Sequence, residues 1–537
     1  KGDNVAILSE NRKEWLISEL GMHLVGVVPV GVYPTSPSNE ILHILLSTDI
    51  KAIICEDQEQ VDKVLEIQTR LPLLKKIIYI DKKGLKSYTS EKLMSWNVFL
   101  EDGIKNLKTY PESISNCMSS HSENDIALIV PTSGSTGPPK PAMISFKNIY
   151  FIGSASEKIF KRGLSDNVLS YLPLCHVAEQ LFSVFNAMHS GYTANFGESI
   201  RTIQQDLRDI GPTIFLGVPR IWQKIQSDIL IQSKKKNLQS FILRNALNAS
   251  RKFNNPWRRL NIFLRFEKLF WELIVLRHVR NGIGLTKCRM AVSGAAPISQ
   301  ETLKFFRGLG LPLVEGFGMT ETSGACTIQL LDKNSEGAIG FPFDGVKLKV
   351  AEDGELLIKG DCVFVGYYKD HESTNQTIKD GWLYTGDIAK VFNDGSASII
   401  DRKKDILITA AGKNLTPSVI ENTAKASPYI KECILIADGR RFPSALIQID
   451  FDSVSQWAER RSIPYTNLKN LVEADEVIDL ILKEIEKCNN KLANVEKIKK
   501  FSLLKKELDH DDGEVTATMK VRRSEIEKAY SKEIDSM

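Results

Sequence analysis

Several things are scarce in this 537-residue chain, and each scarcity excludes a class of protein. No apolar run reaches the roughly 18 residues that a spanning helix needs, so a helical membrane protein is excluded. Eight cysteines are scattered at Cys55, Cys117, Cys175, Cys288, Cys326, Cys362, Cys433 and Cys488, without a CxxC pair or a metal-ligand cluster. That excludes a disulfide framework and a zinc site, and it predicts reduced thiols in a cytoplasmic protein. The formal net charge is only +4, too small to support nucleic-acid binding over the whole surface. With 42% hydrophobic and 25% charged residues the chain is globular, and its length implies two or more domains.

What is present is a succession of short apolar runs, each followed by a turn and a longer helical pattern. KAIICED (51–57), KKIIYID (75–81), DIALIVPTSG (125–134), TIFLGVP (213–219) and CRMAVSGAAP (288–297) predict βα units around largely parallel sheets. From about residue 340 the texture changes. GVKLKVAEDGELLIKG and IAKVFNDGSASIIDRKKD alternate with period two around DG turns, which predicts antiparallel strands. A third texture follows, with a strand pair in KECILIADGRRFPSALIQID and an amphipathic helix in EVIDLILKEIEKCNNKL. A large domain is therefore expected over 1–401 and a small α+β domain over 405–537, with the charged residues 402–404 as hinge.

One stretch is unbalanced in charge. Between Lys234 and Arg280 there are twelve Lys/Arg against two Asp/Glu, interleaved with Phe241, Phe253, Trp257, Phe263, Phe266, Phe270 and Trp271. The mixture suits a helix lying on anionic lipid, and equally a helical pair whose apolar face is in the core.

The most unusual window is PTSGSTGPPKP, Pro131 to Pro141. Its prolines and glycines forbid a helix or a central strand. Thr132, Ser133, Ser135 and Thr136 offer hydroxyls, Gly134 and Gly137 let backbone N–H groups approach an anion, and Lys140 supplies charge. The familiar GxxxxGK[ST] spacing fails, because two residues separate Gly137 from Lys140 and a proline follows it.

TSGSTGPPKPAMIS resembles the signature loop of the adenylate-forming superfamily, and further motifs follow in that family's order. They are YLPLCHVAEQ (171–180), GVPRIW (217–222), SGAAP (293–297), EGFGMTETSG (315–324), DGWLYTGDIA (380–389), DRKKDILITAAGKNLTP (401–417) and VTATMKVRR (515–523). LPLCHVAEQ with VTATMKVRR is most similar to long-chain fatty acyl-CoA synthetases of the bubblegum-type and bacterial branches. The resemblance implies an α/β fold: doubly wound subdomains with a small β-barrel-like part, then a small mobile C-terminal domain. It also implies that a further strand and helix precede Lys1.

In that resemblance ATP, Mg²⁺ and CoA join a fatty acid. Activating a carboxylate with ATP brings anion against polyanion, so neutralising and positioning groups matter more than a strong base. Lys140 and the loop 132–137 would hold the β/γ-phosphates, Thr320 the α-phosphate, and Glu321 would ligate Mg²⁺. Gly294, Ala295, Ala296 and the run Glu315, Gly316, Phe317, Gly318, Met319 would line the adenine. Asp387 would accept the ribose hydroxyls, with Arg402 beside it. Lys520 matches the family's catalytic lysine. His176 and Trp222 match acyl-pocket positions, Lys404 the hinge, and Gly412 and Lys413 the loop that serves CoA.

The expected activity is thus long-chain fatty acid–CoA ligation in two steps. The alternatives are an acyl-AMP ligase that feeds a carrier protein, or a non-catalytic acyl-nucleotide-binding paralogue. The last is motivated by Pro141, Phe146 and Cys175, which stand where relatives commonly have Gly, His and Ser.

Overall fold

The computed structural model describes every residue except 133–137, 200, 236, 255–260, 334–336, 511 and 517–519. Two large sheets carry most of the chain. In the first, Asn4–Leu8 is central, with Val28–Val32 on one side and Ile50–Cys55 on the other, all parallel. Lys76–Tyr79 and Leu93–Ser95 extend one flank. Ile126–Thr132 extends the other, followed by the antiparallel strands Lys140–Ser145 and Gly366–Tyr367. The second sheet runs Thr193–Phe196, Asn167–Ser170, Ile214–Gly217, Met290–Ser293 and Leu313–Phe317 in parallel, and then turns antiparallel through Thr327–Ile328 and Phe341–Pro342.

These parallel strands are buried on both faces, which is why they read as continuous apolar runs rather than alternations. Ile7, Ile53, Ile77, Phe215, Ala291 and Leu313 have no exposed surface. The loops after Thr132, Gly217, Ser293 and Phe317 leave the carboxyl ends of their strands, where ligands collect in open α/β sheets.

The period-two segments form a five-stranded antiparallel sheet of Lys347–Val350, Glu355–Lys359, Ile378–Lys379, Trp382–Val391 and Ala397–Arg402. From Leu407 onward a separate apolar core begins, around a three-stranded sheet of Ile430–Ile436, Ser444–Ile449 and Lys500–Leu503. Helix Asp475–Asn489 closes it with Val477, Ile481, Ile485 and Cys488, one stripe at helical spacing.

The proline-flanked lysine has a simple place in this fold. Pro131 and Pro141 are cross-strand partners, as are Thr132 and Lys140. Two prolines can face each other only where neither N–H is asked to donate. Pro141 still contributes to the sheet, because its carbonyl accepts from Tyr368 N at 2.8 Å. The other two departures are also packed. Phe146 sits edge-on to His23, with ring centroids 5.1 Å apart. Cys175 is buried, its thiol pushed well above the ordinary range by desolvation. Among the described residues no helix is long and apolar enough to cross a membrane.

Candidate active site

Glu321 lies in a one-turn helix, Thr320–Thr322, that follows the strand Leu313–Phe317. The turn is tight: Met319 N donates to Thr322 Oγ1 at 2.9 Å, and Ser323 takes a left-handed φ of 54°. Glu321 is buried, and its Oε1 accepts a 2.7 Å hydrogen bond from Tyr367 Oη. Tyr367 also faces Lys140, whose ammonium stands 5.4 Å from the ring centre and donates to Ser373 Oγ at 2.7 Å. Glu321 and Lys140 therefore meet around one tyrosine that sequence reasoning did not single out, and Thr320 directly precedes Glu321 in the same turn. GYYKD at 366–370 was the available signal. Ser133, Gly134, Ser135, Thr136 and Gly137 lie outside the described residues. Thr132, just before them, is fixed by its Oγ1 donating to the Lys140 carbonyl at 3.1 Å.

On the opposite side, Asp387 and Arg402 are paired across adjacent antiparallel strands. Arg402 Nε lies 3.0 Å from Asp387 Oδ1, and its Nη1 donates to the Thr385 carbonyl at 3.1 Å. Asp387 Oδ2 is buried without a hydrogen-bond partner, an acceptor left open for a ligand donor. Burial raises the carboxyl to about 6, although Arg402 and Lys520 pull it down.

The sequence-predicted adenine loops follow strands of the second sheet. Ala295 in SGAAP adopts φ 67°, a left-handed conformation that is strained for a residue with a side chain. Glu315 is buried on its strand and accepts from Ile298 N at 3.3 Å. Its carboxyl is raised to about 7 by desolvation. Phe317 and Met319 are half-buried against the main core.

Lys520 reaches this cleft from the C-terminal end of the chain. Val515 is bridged to Val521, and Thr516 N donates to the Lys520 carbonyl at 2.8 Å. These residues are tied to the large domain through His510, whose Nε2 is 3.2 Å from Glu40 Oε2. Glu40 raises the His510 pKa. Lys520 is exposed as a residue, yet its ammonium is crowded by protein, and desolvation and then Arg402 push its pKa below the ordinary value. Glu321 and Asp387 oppose that shift. Residues more than 100 positions apart thus share one electrostatic neighbourhood.

An apolar cavity opens beneath the Gly294–Ala295 and Gly316–Gly318 backbones and continues past Leu181, Phe182 and Phe343. Glycine is required at its wall: a Cβ on Gly318 would lie 2.4 Å from Ala325 Cα, and Gly324 has φ 101°. The cavity floor is the segment Gln180–Phe185, wound as a wide π-helical turn. His176 caps the short helix before it, its Nδ1 accepting from Ala178 N at 3.1 Å, and desolvation lowers the ring to about 4.

Neither Trp222 nor His176 is among the residues lining this cavity. The Trp222 ring has no exposed surface and packs edge-on to Phe215 and Phe306, while Nε1 donates to the Gly217 carbonyl at 2.9 Å. Helix Pro219–Ser233 turns the residue inward, where the core of the second sheet absorbs the large ring. Lys404 is exposed in the turn after Ala397–Arg402. Gly412 and Lys413 are exposed in the turn joining Leu407–Ile408 to Asn414–Leu415.

Among the described residues there is no cluster of three or more metal-ligating side chains. A single buried carboxylate such as Glu321 still fits Mg²⁺, which keeps several waters and takes most of its ligands from substrate phosphates.

Comparison with known proteins shows the family. The family described as AMP-binding enzyme matches residues 1–368, and the AMP-binding enzyme C-terminal domain matches 404–537. The long-chain-fatty-acid–CoA ligase FadD15 of Mycobacterium bovis is 30% identical over 544 residues, covering 100% of this chain and 88% of that protein. The long-chain-fatty-acid–CoA ligase ACSBG2 of Xenopus laevis is 30% identical over 99% of this chain and 76% of its own length. The A domain of the carboxylic acid reductase from Segniliparus rugosus, solved with AMP and a carboxylic acid, superposes with TM-score 0.70 at 17% identity. It covers 100% of this chain and 82% of that one. The o-succinylbenzoate CoA synthetase MenE of Bacillus subtilis superposes with TM-score 0.65 at 18% identity, over 98% of this chain and 88% of its own.

Proposed function

The chain belongs to the AMP-binding enzyme family, and on that premise we propose that it is a long-chain fatty acid–CoA ligase. The observation that supports this most is the electrostatic convergence of Lys520, Asp387, Arg402 and Glu321, four residues drawn from distant parts of the chain.

In the first step a fatty-acid carboxylate oxygen bonds to the α-phosphorus of ATP, and the bond to the β-phosphate oxygen breaks, releasing pyrophosphate. Asp387 orients the ribose through its open Oδ2. Lys140 and the 132–137 loop hold the departing phosphates, and Thr320 contacts the α-phosphate. Lys520 stabilises the charge that grows on the transferring group. Glu321 would hold Mg²⁺, which when bound neutralises phosphate charge, and Tyr367 fixes the direction in which that carboxylate points. In the second step the CoA thiolate attacks the acyl carbonyl and AMP leaves.

We assign the large domain to 1–401, the hinge to 402–404 and the small domain to 405–537. Rotation about Lys404 would withdraw Lys520 and bring in Gly412 and Lys413 for thioester formation. ATP–pyrophosphate exchange across fatty acids of graded length, with and without CoA, tests this reading. Exchange with long-chain acids and CoA-dependent release of AMP are expected. Exchange without any effect of CoA would favour a carrier-protein acceptor. ATP binding without exchange would favour the non-catalytic alternative.

The basic–aromatic region supports docking on an anionic bilayer. Phe253 is buried and Trp271 half-buried, so those two serve the core. Helix Ile262–Trp271 and the turn after it instead expose Ile262, Phe263, Phe266, Leu269, Phe270 and Leu273 along one face, Phe263 at 81%. Lys252, Lys268 and Arg277 flank the face, and such a charge pattern selects anionic lipid. The double variant F263E/F266E should lose sedimentation with phosphatidylserine-containing vesicles by about tenfold or more. It should also keep its adenylation rate on a soluble short-chain acid. Unchanged sedimentation would remove this face from any membrane role.

A further inference from the structure

The cavity beneath the Gly294–Ala295 and Gly316–Gly318 backbones is not apolar throughout its lining. Arg162 lines it, with only 1% of its side chain exposed. The residue follows the left-handed Lys161 that ends helix Phe146–Phe160, and this turn drives its side chain back under the helix. Nη2 donates to the Gly153 carbonyl at 3.2 Å and to Ser156 Oγ at 3.0 Å, and Nε to Ser190 Oγ at 3.3 Å. Ser156 Oγ in turn donates to Asn186 Oδ1 at 3.0 Å, and both Ser156 and Asn186 also line the cavity. The remaining nitrogen, Nη1, is buried with no hydrogen-bond partner.

A buried guanidinium with an unmet donor is costly, and a plain alkyl terminus laid against it would leave that donor unmet. The charge itself is already answered. Glu157 Oε2 lies 3.4 Å from Nε and accepts from Ser190 Oγ at 2.7 Å. The neighbouring cation Arg289 is paired with Asp166. What the site lacks is one oxygen acceptor, rather than a second negative charge. The lining side chains Phe160 and Phe182 are apolar and cannot supply it.

We propose that Arg162 is a specificity residue for acyl chains that carry a neutral oxygen, a hydroxyl or carbonyl, toward the end remote from the carboxylate. The proposal rests on the ligase reading above, since it places the chain in this cavity. Arg162, Ser156 and Asn186 form the polar part of an otherwise hydrocarbon-lined site. An oxygenated chain then gains one hydrogen bond from a charged donor, while an unsubstituted chain of equal length strands that donor.

The test compares sulfamoyl-adenosine mimics of acyl-adenylates, whose binding does not depend on turnover. The probes are an unsubstituted acyl chain, its chain-end hydroxy and keto analogues, and the corresponding dicarboxylic chain. At the optimal length the hydroxy or keto mimic should bind at least about tenfold more tightly than the unsubstituted one, the effect of one charge-assisted hydrogen bond. In Arg162→Met that ratio should fall to about one. Where Arg162→Met is poorly folded, Arg162→Gln should reduce the ratio with less disturbance to the bonds to Gly153 and Ser156. Equal binding of all the mimics to the wild-type protein would overturn the proposal while leaving the ligase reading intact. A preference for the dicarboxylic chain would overturn the neutral-oxygen assignment. Failure of every mimic to bind, with ATP binding retained, would bring down the ligase reading and this inference together.

Discussion

Replacing Lys520 with alanine is expected to slow the pyrophosphate-forming half-reaction by about 10²–10³-fold, the usual effect of removing one preorganised stabiliser of transition-state charge. The CoA-dependent consumption of supplied acyl-adenylate should be affected far less. The division follows from where the lysine comes from. It sits near the end of the second domain, held by the Thr516–Lys520 backbone bond and by His510 against Glu40. It reaches the field of Glu321 and Asp387 only while that domain is docked as it is here. Contacts between the domains among the described residues include exposed ion pairs, Lys491 with Glu301 at 3.0 Å and Lys224 with Asp452 at 3.6 Å. Exposed pairs of this kind contribute about 0–1 kcal/mol each and hold the docked arrangement only weakly. A catalytic group mounted on a weakly held domain serves one step and withdraws for the next. ATP–pyrophosphate exchange and acyl-adenylate consumption measured on the same preparation decide the matter. Equal loss of both rates would show that Lys520 holds the fold or the nucleotide in common, and the two-arrangement mechanism would fail.

The parts of this site that were legible in the sequence are those whose chemistry is carried by local spacing. Strands such as KAIICED and TIFLGVP declared themselves because burial on both faces leaves no polar alternation, and parallel sheets followed from the helical patterns between them. Asp387 and Arg402 could be named as candidates because each stands in an ordered motif. Their pairing was not legible, since it depends on the register of two strands joined by a DG turn. Tyr367 was missed for a related reason. A tyrosine in GYYKD has many structural uses, and only the edge-strand pairing of Gly366–Tyr367 with Lys140–Ser145 carries it to Glu321 and Lys140. Arg162 could not be read at all, because one arginine after a helix is ordinarily a solvated charge. Trp222 shows how packing competes with a motif. The motif GVPRIW suggested a ligand position, and the packing of Phe215 and Phe306 claimed the ring for the core.

Substituting Asp387 with asparagine should weaken ATP binding by about 10–100-fold, because the carboxylate hydrogen bonds to two ribose hydroxyls would each contribute about 1.5–3 kcal/mol and the amide recovers part of that. The pH dependence gives a sharper expectation. Burial raises the Asp387 carboxyl from 3.8 to about 6 in the free protein. Donation from the ribose favours the charged form, so protons compete with the nucleotide. The KM for ATP should be flat above about pH 6 in the wild-type protein and rise roughly tenfold per unit below it, with no such inflection in Asp387→Asn. Stability should move the opposite way. An acid whose folded-state pKa lies above its unfolded value favours the fold while protonated, and that contribution is lost as pH rises from about 4 through about 6. The wild-type protein carries that loss at neutral pH, and the asparagine variant does not. Without nucleotide, Asp387→Asn should therefore unfold at higher denaturant at pH 7, by about 1–3 kcal/mol, and show no advantage near pH 4. Arg402, its side chain 48% exposed, can turn to water when its partner is neutralised and offsets little of the gain. A residue kept only for structure would lose stability on replacement. One that gains stability while losing ATP marks a buried charge held in place for its ligand, and a stability loss at pH 7 in the variant would remove Asp387 from that role.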